Sequence, residues 1–193
     1  MKKLILGFAI AVSSMTFAQE KAKETSSSPV RFGIKAGLNV SSVNDDDFKA
    51  KAGIYGGFFA NIPVASSFSV QPEVLYNGMG AQADDSSDVK LNLDYISVPV
   101  MLQYNILPEL YLEAGPQFSF AINKKLKGDG GSIDLKDSIK GFDFGIGLGA
   151  GYYFAQGFGV TARFVAGATD IAENNNDDAI RNSVFQVGVA YKF

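Results

Sequence analysis

The side chains able to do chemistry in this sequence are carboxylates, amines and guanidinium groups, because its 193 residues include no His and no Cys. That removes the Ser-His-Asp triad, the Cys nucleophile, disulfides, and metal sites built on imidazole or thiolate. Seven charged residues, Arg31, Lys35, Glu73, Glu113, Asp143, Arg163 and Lys192, fall on one phase of alternating segments, with Gln71, Gln117, Gln186, Asn39 and Asn61 on the same phase. Brought together in a narrow interior, they form a charge network whose members must pair, since an unpaired buried charge is costly. The same set could serve as a ring that selects ions or as carboxylates tuned for acid–base work. A charge-balanced plug is the expectation, because eight strands enclose a space that side chains alone can fill. Neither enzymatic activity nor a cofactor is expected.

Two further stretches resemble chemical motifs and fail on context. Gly145, Gly147, Gly149 and Gly151 alternate strictly inside an extended segment, whereas a phosphate-cradling loop needs a strand-to-helix turn. The segment Lys127–Asp137 is rich in Asp and Gly but lacks the acid spacing of a calcium loop. Acidic residues also crowd four polar stretches, with Asp45, Asp46 and Asp47 in one and Asp84, Asp85 and Asp88 in another. These form a solvated rim, with a weaker option that they share Mg²⁺ or Ca²⁺ with lipopolysaccharide phosphates.

The elements that must position the seven charges are strands. Apolar residues recur at every second position in Arg31–Val40, Gly53–Ile62, Phe68–Gly78, residues 90–104, Leu110–Ile122, Gly141–Phe154, Phe158–Thr169 and Ser183–Phe193, the period of a strand with two unlike faces. Leu91 and Leu93 sit on the polar phase, which implies a bulge or a change of environment near Asp94. Short connections (Pro63–Ser67, Asn105–Glu109, Ala155–Gly157) alternate with long polar ones (about 41–52, 79–89, 123–140 and 170–182). Eight antiparallel strands with this alternation describe an up-and-down transmembrane β-barrel with turns in the periplasm and loops outside.

A soluble barrel would carry its apolar residues inward and show the same alternation. The aromatic positions separate the two arrangements. On the apolar phase, Phe32, Phe68, Tyr104, Tyr152, Phe154, Phe158, Tyr191 and Phe193 mark the short-turn ends. Tyr76, Phe118, Phe120, Phe142, Phe144 and Phe185 mark the long-loop ends. Two such rings match the interfacial girdles of a lipid-facing band. The opposite phase holds many Gly, which suits a narrow lumen better than a solvated exterior.

The N-terminus reads as an address. Lys2 and Lys3 precede the apolar run Leu4–Val12, and Thr16 and Ala18 stand three and one positions before Gln19, the pattern of a cleaved secretory signal peptide over residues 1–18. Residues 19–30 form a polar, Ser-rich periplasmic tail, and 31–193 the barrel. A net charge of −3 argues against nucleic acid as a partner. The expected location is the outer membrane of a Gram-negative cell. Expected partners are the bilayer, lipopolysaccharide and, during biogenesis, the barrel-assembly machinery, with the chain a monomer.

The stretches Tyr95–Tyr104, Tyr111–Gln117, Gly141–Tyr153 and Val187–Phe193 resemble the small outer-membrane β-barrel "porin family" proteins, PorT-like. The resemblance implies the barrel fold and the outer-membrane location. The namesake is associated with protein secretion, a role that no residue here identifies. Gln186, Gly188, Tyr191 and Phe193 resemble the signal by which such barrels are recognised for assembly. The function expected is structural, or surface interaction through the long loops, with a small passive channel as the alternative.

Overall fold

The computed structural model describes residues 30–43, 48–83, 90–128, 131–134, 141–155, 157–169 and 182–193. The expected signal peptide, the tail up to Pro29 and the acidic clusters at 45–47 and 84–88 lie outside the described residues.

The strands are β1 (Arg31–Val43), β2 (Phe48–Ala65), β3 (Phe68–Ala83), β4 (Lys90–Asn105), β5 (Leu110–Gly128), β6 (Gly131–Asp134), β7 (Phe142–Ala155), β8 (Phe158–Gly167) and β9 (Asn182–Lys192). Each pairs antiparallel with its neighbours, and β1 meets β9, so eight strands close on themselves. The short β6 pairs with the end of β5 and extends that hairpin. Closure leaves the eight long strands without an open edge in the wall, which is what hydrocarbon requires of a strand-built barrel.

The alternation resolves into two faces with opposite chemistry. Leu148 is 66% exposed and Phe58 70%, whereas Glu73 is 2% and Arg163 3% exposed. The apolar face therefore looks outward and the polar face fills the interior, which excludes the soluble, lipocalin-like arrangement. The aromatics at the two ends of the wall contact each other, as with Phe68 and Tyr104 at 5.0 Å and Phe120 and Phe142 at 5.5 Å between ring centroids.

The strands run further than the alternation indicates. β2 begins at Phe48, β3 continues to Ala83 and β5 to Gly128, so the bases of the long connections are hairpins. At the other end, pairing continues through a register shift between Pro63 and Ala65, leaving Ser66 and Ser67 as the turn. An irregularity of this kind accommodates the missing N–H of Pro63.

The ladder between β4 and β5 shifts register between Asp94 and Tyr95. Leu93 and Tyr95 nevertheless both stay on the inner face, 1% and 0% exposed. The change of environment implied at Asp94 is an apolar layer inside the barrel.

Candidate functional site

The lumen is filled in layers, and at its centre lie four of the seven expected charges. Arg163 on β8 donates from Nη1 and Nη2 to Oε2 and Oε1 of Glu73 on β3, at 2.9 and 2.7 Å. Its Nε donates to Oε1 of Glu113 on β5 at 2.7 Å. Lys35 Nζ on β1 reaches the same Glu73 Oε1 at 2.9 Å. Two cations and two anions thus form one neutral cluster, and all four residues are at most 4% exposed.

Amides complete the cluster. Gln71 Nε2 donates to Glu73 at 2.8 Å, and Gln103 Nε2 to Glu113 Oε2 at 3.0 Å. Asn61 Nδ2 in turn donates to Gln103 Oε1 at 2.9 Å. Buried charge is tolerated on such terms, with each ion paired and further hydrogen bonds made. It also decides the chemistry available: the Glu73 and Glu113 side chains have no accessible surface, so neither presents an oxygen to a substrate.

Towards the long-loop end, Gln186 Nε2 donates to Asn39 Oδ1 and Asn77 Oδ1 at 3.0 and 2.8 Å. Beyond these amides Met79, Leu93, Tyr95, Val165 and Val184 pack into an apolar cluster with Ala121 against it. This layer was hidden in the sequence, because its members occupy polar-phase positions and read as breaks in the alternation.

The remaining three expected charges stand apart from the cluster. Arg31 is the first residue of β1 and Lys192 the last of β9, so both lie at the short-turn mouth. Lys192 Nζ sits 4.0 Å from the centre of the Tyr153 ring. Asp143 begins β7 at the opposite end and accepts a hydrogen bond from Thr169 Oγ1 at 2.5 Å. Sequence phase places all seven inward but says nothing of height.

The inward glycines have a steric reason. A Cβ on Gly151 would lie 2.3 Å from Tyr111 Oη, and one on Gly188 2.4 Å from Tyr55 Oη. Tyr55 and Tyr111, 4% and 2% exposed, lie against the bare backbone of the strands beside them, and interiors packed this tightly have no slack for a methyl group.

A family model described as "Outer membrane protein beta-barrel domain" matches residues 17–173. The chain belongs to this family. Among solved structures, Neisserial surface protein A superposes with a TM-score of 0.61 at 16% identity, over 86% of this chain and 100% of that one. The attachment invasion locus protein Ail of Yersinia pestis gives 0.54 at 16% identity, again over 86% and 100%. OprG of Pseudomonas aeruginosa gives 0.50 at 14%, over 84% and 95%. At these identities the likeness is one of fold. A comparison with curated protein sequences gave no match.

As an outer-membrane barrel, the chain turns a wall of Leu, Val, Ile, Phe and Ala to lipid and keeps Lys35, Glu73, Glu113 and Arg163 in the lumen. Among the described residues no three His, Cys, Asp or Glu converge as a metal site. The acidic loop clusters considered for divalent ions fall outside those residues.

Proposed function

We propose that this outer-membrane barrel is a non-enzymatic, non-conducting protein that acts through architecture and through what its long loops touch outside the cell. The observation that carries this reading is the closed ionic cluster of Lys35, Glu73, Glu113 and Arg163, at most 4% exposed, spanning the lumen from β1, β3, β5 and β8. An ion crossing the barrel would have to displace side chains that neutralise one another, and then pass an apolar layer in which the Tyr95 hydroxyl is the one side-chain oxygen. The enclosed carboxylates also argue against a reaction centre. Lipid and lipopolysaccharide are the partners that the outward apolar face and aromatic ends suit. The segment with Gln186, Gly188, Tyr191 and Phe193 is proposed as the mark read by the assembly machinery.

The test is single-channel recording of the refolded protein in planar bilayers. Conductance at the level of the bare membrane supports the reading, and discrete, reproducible openings favour the small passive channel instead.

A further inference from the structure

At the short-turn end the lumen opens into a cavity of about 430 Å³. Its wall includes Arg31, Asn61, Ser69, Asn105 and Lys192, and its rim includes the apolar turn residues Ile106 and Leu107, with no Asp or Glu among the lining residues. Arg31 and Lys192 are close by construction. Lys192 pairs with Gly33 across the β1–β9 ladder, and Arg31 lies two residues further along the same inward face.

The central cluster does not use these two cations. The central cluster is neutral within itself, and among the described residues neither Arg31 nor Lys192 has a carboxylate partner. Two like charges sharing a recess repel, and Lys192 has in addition lost part of its water. A bound anion relieves both costs. Their inward phase directs them to the barrel axis rather than to lipid headgroups. The recess is larger than a bare oxyanion needs, and it combines a guanidinium fork, an ammonium, amide side chains and an apolar rim.

We propose that this mouth binds a carboxylate-bearing peptide segment from the periplasmic side, the side on which short turns lie in such barrels. Arg31 takes the carboxylate with its planar pair of donors, and Lys192 adds a second charge deeper in the recess. The Asn105 side chain meets the peptide backbone, and Ile106 and Leu107 cover its aliphatic part. The proposal concerns one end of the barrel and stands whether or not the lumen conducts.

The experiment titrates the refolded full chain in detergent micelles with N-acetyl-glutamyl-alanine, read by calorimetry and by amide NMR shifts. We expect saturable binding, with shifts centred on Arg31, Ser69, Asn105 and Lys192. Arg31→Gln and Lys192→Gln should each weaken it by about tenfold, the effect of losing one charge-assisted contact. Lys125→Gln, which removes an exposed cation at the other end, should leave it unchanged. The acidic residues Glu20 and Glu24 precede the barrel in the sequence; affinity that rises in E20Q/E24Q supports the site and identifies them as its competitor. Binding by neither the wild type nor E20Q/E24Q overturns the proposal. So does binding that is equal in the Arg31 and Lys192 variants, matched by inorganic phosphate, or centred on amides elsewhere.

Discussion

Arg163 and Glu73, ninety residues apart in the chain, meet across the barrel with both terminal guanidinium nitrogens on both carboxylate oxygens, at 2.9 and 2.7 Å. Glu73 also accepts from Lys35 and Gln71, whereas Glu113 serves one cation and one amide. The two carboxylates are therefore unequal. Glu73→Ala strands the buried Lys35 and leaves Arg163 with Glu113 alone, and should destabilise the barrel by about 3–5 kcal/mol, with Glu113→Ala at or below the lower end of that range. Urea unfolding of the refolded variants checks the order, and a larger loss in Glu113→Ala would show that the cluster is centred elsewhere.

Asp143 tests membership of the cluster. It lies at the other end of the lumen and accepts a hydrogen bond from the hydroxyl of Thr169. Asp143→Asn keeps an acceptor for that hydroxyl and removes a charge that stands apart from the central cluster. Its unfolding free energy should stay within about 1 kcal/mol of wild type. A loss as large as that of Glu73→Ala would place Asp143 in an ion pair.

The lipid-facing wall makes a depth-dependent prediction. Leu148, 66% exposed on the outer face near mid-strand of β7, should cost about 2–4 kcal/mol when replaced by Arg, while Glu109→Arg in a short turn should be near neutral. Refolding titrations into lipid vesicles measure both, and equal costs would mean that Leu148 does not face hydrocarbon.

These variants sort along a line that the sequence drew only in part. Alternation reports which face a residue occupies, and Lys35, Glu73, Glu113 and Arg163 share the buried inner face because charge cannot face lipid. It cannot report height, which depends on register between strands far apart in the chain. Arg31, Asp143 and Lys192 therefore looked equivalent to the central four. Residues such as Leu75, Met79, Leu93 and Met101, 0–3% exposed on the inner face, were illegible for a related reason: apolar on both faces, their segments lose the period that identifies the inside. The inward glycines were legible as a group, but their aromatic partners were not, since contacts such as Gly188 with Tyr55 depend on the curvature of the closed wall.

That contact geometry predicts a specific coupling. The three nearest atoms to a Cβ on Gly151 all belong to the Tyr111 side chain, at 2.3–2.6 Å. Gly151→Ala should therefore cost about 1–3 kcal/mol through overpacking, and most of that cost should vanish when Tyr111 is already Ala. A double-mutant cycle in urea measures the coupling, and additive effects would mean that backbone strain rather than the tyrosine ring makes alanine unwelcome.

The ionic cluster and the apolar layer stand in series along the lumen, and on the proposed non-conducting reading each acts as a seal. Between the ionic cluster and the long-loop end stands the layer of Met79, Leu93, Tyr95, Val165 and Val184, each at most 4% exposed. Removing the Glu113 carboxylate loosens the lower seal, yet an ion admitted there still faces apolar side chains that cannot replace its hydration shell, a barrier of the dewetting kind. Glu113→Ala should consequently lower stability while bilayer current stays at background. Leu93→Ala opens space in the upper seal, with a stability loss of about 2–5 kcal/mol, and leaves the ionic seal in place, so it too should remain closed. In the double variant, resolved openings become possible, and they should be sensitive to the remaining Arg163 charge. Planar-bilayer recordings of the three proteins, after gel mobility confirms that each has folded, decide the matter: openings in Glu113→Ala alone would show that the apolar layer does not seal.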